Sequence, residues 1–327
     1  MAGLVTIFGG SGFLGRYIAR RLAREGWRIR VAVRRPDEAL FVRTYGSVGQ
    51  VVPVACNLRD DASVRTALRG AEAAVNCVGT FDRRGRNGFD AIHVEGAGRA
   101  ARLALGEGVR RFVHVSAIGA DAAGPSLYAR SKARGEEAVL AQMPDATILR
   151  PSILFGTEDQ FFNRFARMAT RSPVLPVVGA RTRFQPVFVD DVAHVAALAA
   201  AGTIPSGLYE LGGPEVLTFR EMMERMLRHI RRRRLIVNLP FVVARPMGSL
   251  FDALALATGG LVKGPITRDQ VESLRVDNVV PPGARGFEAL GLVPTALDAV
   301  LPDYLWRFRP RGQYEALRDS ARGLDPR

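Results

Sequence analysis

Apolar residues fall in short blocks along the first half of the chain. Each block is followed by a stretch whose apolar positions recur every three or four residues. The blocks at 4–8, 28–33, 51–55, 73–78, 111–116 and 146–149 predict strands, and the stretches at 12–25, 61–68, 87–106 and 126–142 predict helices. Strand, helix, strand at this spacing demands right-handed crossovers, so the class is α/β with a doubly wound parallel sheet. Several strands are apolar on both parities, as expected where helices cover both faces.

The rhythm changes after Pro151. Residues 161–170 read as a helix, 187–201 are apolar at helical spacing behind Asp190 and Asp191, and 208–211 form a short strand. Thr218 and Glu221 supply a capping box for the next helix. The segment 235–261 is apolar but interrupted by Pro240, Arg245, Pro246 and Asp252. The organisation expected is a Rossmann core over 1–150, a smaller C-terminal lobe over 151–308 interleaved with that core, and a polar basic tail over 309–327. The lobe is expected over the C-terminal edge of the sheet, where open α/β sheets bind ligands.

Composition narrows the class. The 327 residues are 47% apolar and 24% charged, which excludes disorder, a collagen-like fibre and a disulfide scaffold. Cys56 and Cys77 sit in separate apolar runs and read as core thiols of a reducing compartment. Neither has a partner at metal spacing, so no metal site is expected. No segment reaches the roughly 18 uninterrupted apolar residues of a spanning helix. The N-terminus runs straight into a strand without a basic leader. The expected place is the cytoplasm or the cytoplasmic face of a membrane.

Charge adds a further clue. Lys+Arg number 46 against 32 Asp+Glu, a net +14 that favours anionic partners: phosphorylated cofactors, an anionic membrane surface or nucleic acid. Only Lys132 and Lys263 are lysines. In such an arginine-rich chain, a lysine marks a place where arginine would not serve.

Gly9, Gly10, Ser11, Gly12, Phe13, Leu14 and Gly15 join the first strand to the first helix. Glycines there permit a tight turn and close approach to a pyrophosphate, which the helix N-terminus attracts. With strand and helix on either side, the loop predicts dinucleotide binding rather than a plain glycine-rich turn. An NAD-selective site places an acid after the second strand. Here Arg34 and Arg35 follow Val33 and suit a 2′-phosphate, so NADP(H) is favoured over NAD(H), although solvated charges would read the same way. Asn57 and Leu58 are expected near the adenine, Val78 and Gly79 along the dinucleotide, and Ser116 and Pro151 at the ends of the fifth and sixth strands. Tyr128 and Lys132 share one helix face. A lysine there holds a nicotinamide ribose and lowers the tyrosine's pKa for proton donation.

The glycine loop, Tyr128 with Lys132, and Arg150-Pro151-Ser152 resemble the extended and atypical short-chain dehydrogenase/reductases. A narrower resemblance rests on His114-Val115-Ser116-Ala117, Pro151 to Gly156, Gln185 to Val192, Ile266 to Glu272, Asp277 to Val280 and Tyr304 to Pro310. These are similar to the alpha-subcomplex subunit nine family of respiratory complex I, whose relatives are linked to ubiquinone synthesis. That resemblance covers nearly the whole chain. It implies a tightly held NADPH serving structure or regulation, complex I subunits as partners, and peripheral attachment to the inner membrane. The alternatives are an active NADPH-dependent reductase or epimerase, with Tyr128 as acid, and a stand-alone factor in ubiquinone biosynthesis.

Two departures favour low turnover. Active members carry a Ser or Thr two positions past the strand-ending serine, where this chain has Ile118. Losing such a donor costs on the order of 10²–10³ in rate. His93 stands where many relatives have Asn, as a satisfied helix histidine or a substitute polar contact. Beyond the core, Arg228 and the run 231–234 either complement a helix C-terminus or, beside an apolar segment, mark contact with anionic lipid. The run has no interleaved aromatics, so no nucleic-acid partner is expected.

Overall fold

The computed structural model describes residues 3–83, 85–258, 264–312 and 314. Lys263, the end of the apolar segment at 259–261 and most of the 309–327 tail lie outside the described residues. The chain divides into two units. The first comprises Met1–Ser152, Val189–Gly212 and Val280–Val293, and the second Ile153–Phe188, Gly213–Val279 and Pro294–Arg327.

In the first unit, β1 (Leu4–Phe8), β2 (Arg28–Val33), β3 (Val51–Ala55), β4 (Ala73–Asn76), β5 (Arg111–Val115) and β6 (Thr147–Pro151) join the edge strand Leu208–Leu211. All pair in parallel, in the order edge–β6–β5–β4–β1–β2–β3. The chain moves outward from β1 to β3, then returns to β4 on the other side of β1. The switch opens a crevice at the C-terminal ends of β1 and β4, where Phe8 is level with Asn76.

Helices α1 (Phe13–Arg24), α2 (Asp61–Leu68), α3 (Ala97–Gly106) and α4 (Leu127–Leu140), with Val189–Ala201, cover the sheet. Val5, Ile7, Ile18, Leu22 and Val31 are fully buried. Phe8, Phe112 and Ile148 pack with the alanines of α3. Asp190 clamps Arg21 of α1 with two hydrogen bonds of 2.8 and 2.7 Å.

Two boundaries differ from expectation. β4 stops at Asn76 rather than 78, because the Asn76 side chain takes over: its Oδ1 accepts the Val78 N–H at 3.2 Å. The stretch 87–106 is not one helix. A π-helical segment, Asp90–Gly96, precedes α3.

The second unit has its own core. Phe155, Phe162, Phe219, Met222, Met226 and Tyr304 are buried together. Val174–Val178 and Leu235–Leu239 form a parallel pair, unread in the sequence because the partners lie far apart in the chain. The helix Phe219–His229 starts on the Thr218/Glu221 capping box that its spacing predicts. The interrupted apolar segment proves to be a helix, Phe241–Ala257, running through Pro246. Its other apparent interruptions are satisfied by the neighbouring helix Arg268–Ser273. Arg245 pairs with Glu272 at 3.1 Å, and Asp252 accepts the Arg268 N–H at 3.2 Å. Gly248 permits this contact, since a Cβ there would stand 2.8 Å from Arg268 N.

Candidate functional site

The site forms in the first unit around the turn from β1 to α1. Gly9 has φ +75°, which favours glycine, and its N–H donates to Ala32 O at 3.0 Å. A Cβ on Gly15 would lie 2.5 Å from Gly9 O and 2.7 Å from Gly10 Cα, so only glycine lets the helix start this close. Helix α1 begins at Gly12 with no side-chain cap and no acid in its first turn. Its first N–H groups and positive dipole end thus remain to serve an anion.

A cleft of about 400 Å³ opens beside this turn. Of the residues singled out in the sequence, Gly9, Ser11, Gly12, Arg34, Asn57, Leu58, Val78 and Gly79 line it. Gly10, Phe13, Leu14 and Gly15 build the turn and first helical turn behind it. Arg35 is outside the lining: its guanidinium pairs with Glu38 at 2.7 Å, exposed to solvent. Arg59, which the sequence reading passed over, lines the cleft and donates to Arg86 O at 3.1 Å.

Tyr128, Lys132, Ser116 and Pro151 belong to the ends of β5 and β6 and the start of α4. Ser126 caps α4 by accepting the Ala129 N–H at 3.1 Å. Lys132 is buried; Nζ donates to Val115 O at 3.1 Å and sits 6.0 Å from the Tyr128 ring centre. Burial lowers this ammonium to about 8, opposed by the nearby Glu136. Burial pushes the Tyr128 phenol up to about 12. Phe81 stacks on the Tyr128 ring at 5.6 Å, and Phe89 and His93 meet it edge-on. Ser116 is buried with no hydrogen-bond partner for its Oγ among the described residues. Pro151 O accepts the Ile118 N–H at 3.0 Å.

His93 ties the two halves of the site together. Its Nε2 accepts the N–H of Thr80, a cleft residue, at 3.0 Å. Nδ1 therefore carries the proton and donates to Ser131 Oγ at 2.9 Å, while Ser131 donates to Tyr128 O at 2.8 Å. Burial lowers His93 to about 3, so the ring is neutral and its tautomer fixed. His93 occupies the π-helical segment, a distortion common at functional sites.

Cys56 and Cys77 are also more than core thiols, since both line the cleft. They end β3 and β4, three strand spacings or about 14 Å apart, too far for a disulfide. Burial pushes Cys77 up to about 12. No group able to hold a metal ion occurs among the described residues.

Residues 5–212 match the NAD dependent epimerase/dehydratase family. The chain is 36% identical, over 95% of its length and 80% of the relative's, to a mitochondrial protein of Arabidopsis thaliana named NADH dehydrogenase (ubiquinone) 1 alpha subcomplex subunit 9. It is 34% identical, over 78% of its length and 80% of the other's, to the ceramide reductase of Caulobacter vibrioides. An NADPH-dependent quinone oxidoreductase of Escherichia coli, solved with NADPH, superposes at TM-score 0.70 over 92% of this chain and 98% of that one. At 17% identity, it shares the fold.

Proposed function

The chain belongs to the NAD dependent epimerase/dehydratase family and, within it, to the alpha subcomplex subunit 9 family, and from that membership we propose that it is an NADP(H)-binding accessory or assembly subunit of respiratory complex I. The nucleotide serves structure or regulation. The observation that carries this reading is an intact phosphate cradle beside an unactivated acid. The loop 9–15 and the open end of α1 fit a pyrophosphate, whereas the Tyr128 phenol is pushed up to about 12 and Ile118 offers no donor. A general acid works best with a pKa near the working pH.

In this reading Gly9, Ser11 and Gly12, with the N–H groups of Phe13, Leu14 and Gly15, hold the pyrophosphate. Arg34, joined by Arg59, holds the 2′-phosphate and makes NADP(H) preferred over NAD(H). Asn57 and Leu58 flank the adenine, Val78 and Gly79 the dinucleotide, and Tyr128 and Lys132 the nicotinamide ribose near Ser116 and Pro151. No helix among the described residues is long and apolar enough to cross a membrane. The attachment proposed is peripheral, to the cytoplasmic face of the inner membrane, through complex I subunits and an anionic lipid surface. Affinity purification from solubilised membranes tests the assignment: complex I subunits are expected to co-purify, and their consistent absence would sink it.

A second reading, a working NADPH-dependent reductase, is favoured by the 34% identity to a ceramide reductase and by Lys132 at Tyr128. Bound NADPH would supply hydride and Tyr128 a proton to the carbonyl oxygen. NADPH oxidation with an oxidised ceramide, abolished by Tyr128→Phe, would establish this reading over the first.

A further inference from the structure

A groove of about 750 Å³ in the second unit follows one face of the helix Phe219–His229 and the strand after it. Six arginines line it, Arg220, Arg228 and 231–234, against one acid, Glu224. Glu224 lies 3.5 Å from Arg220. Arg232 and Arg234 each donate from Nε at 2.8 Å to a backbone carbonyl, of Phe308 and Ala169. A carbonyl fixes a guanidinium without cancelling its charge. The helix dipole does not explain the collection. It favours cations in the last turn, yet Arg220 stands in the first turn and still lines the groove.

Arg231 gives an independent sign. Its φ is +52°, and every other positive-φ position among the described residues is glycine. The Arg231 N–H closes on Arg228 O at 3.0 Å and the Arg232 N–H on Leu227 O at 3.1 Å, a helix-ending turn that glycine favours. An arginine there bears backbone strain that glycine would relieve. The strain buys a further guanidinium at the groove.

We propose that this groove binds a phosphate-bearing anion of more than one negative charge, its oxygens gripped by guanidinium forks. Such an anion is either a phospholipid headgroup or a soluble phosphate compound. Leu235, 65% exposed in the groove wall, offers a lipid an apolar neighbour. The proposal rests on the reading of an anionic partner given above, but not on nucleotide binding, which belongs to the first unit.

The test uses the full chain in saturating NADPH, with a variant carrying Arg228→Gln, Arg231→Gly and Arg233→Gln. Glycine at 231 keeps the turn, so the variant is expected to fold. The probes are inorganic pyrophosphate, read by thermal shift, and vesicles of equal parts phosphatidylcholine and phosphatidylglycerol, read by co-sedimentation. The wild type is expected to bind at least one probe, and the variant to lose about a hundredfold in affinity. Vesicle binding assigns the groove to a headgroup, and pyrophosphate binding without vesicle binding to a soluble ligand. A wild type indifferent to both probes, or a variant as tight as wild type, overturns the proposal. Pyrophosphate binding that the variant loses, in a protein that takes up no NADPH, supports the groove while refuting the nucleotide reading.

Discussion

Single residues decide how tightly the phosphate turn closes. Gly15→Ala puts a methyl 2.5 Å from Gly9 O. It is expected to cost about 1–3 kcal/mol in denaturant unfolding and to weaken NADPH binding more than that loss of stability alone. Unchanged affinity would show that the cradle tolerates displacement of α1. His93→Ala strands the Thr80 N–H and Ser131, with an expected cost of about 1–3 kcal/mol. Asn at 93 should restore part of it, visible in the same unfolding curves. Cys77, in the cleft wall, should be alkylated more slowly when NADPH is present. An equal rate would place the nucleotide elsewhere. The glycine loop was legible in the sequence because its chemistry is local, running from strand to turn to helix. Arg59 and Thr80 were not, because they reach the cleft only through tertiary packing. Arg35 looked equivalent to Arg34, yet neighbouring positions in an extended chain point opposite ways, and Glu38 engages it.

At the scale of elements, α4 is fixed by buried charge. Arg150 of β6 donates to Glu136 of α4 at 2.9 and 2.7 Å and to Glu210 of the edge strand at 3.0 Å. Arg150→Met leaves two buried carboxylates uncompensated and is expected to destabilise by about 3 kcal/mol. Chemical denaturation measures it. Lys132 on the same helix sets a pH dependence. Burial lowers it to about 8, so between pH 8 and the ordinary lysine value the unfolded chain binds more protons than the folded one. Stability should therefore rise with pH from 8 to about 10, relative to Lys132→Met, by on the order of 1–3 kcal/mol. Parallel curves for the two proteins would mean that Lys132 is solvated. The strands and α1, α2 and α4 were legible because their periodicity is strong. The π-helical start of 87–106 was not, since hydrophobic spacing carries no sign of a local change in winding. Pro246 misled for a related reason: a proline inside a helical pattern reads as a break, and only packing on Arg268–Ser273 shows the helix continuing.

At the scale of the whole molecule, the doubly wound sheet could be read from the first 150 residues, because each βαβ unit is contiguous. The second unit could not. Its parallel pair joins residues about sixty apart, and its core is assembled from three separate segments. Family membership extends across the chain, and the relatives include both a subunit name and a reductase name. The two readings share one premise, a pyridine nucleotide held at the switch between β1 and β4. Calorimetric titration of the nucleotide-stripped full chain with NADPH, then NADH, tests that premise most directly. The account expects saturable binding of one NADPH per chain, with NADH weaker by at least about tenfold for want of the 2′-phosphate. No saturable heat with either nucleotide would contradict it.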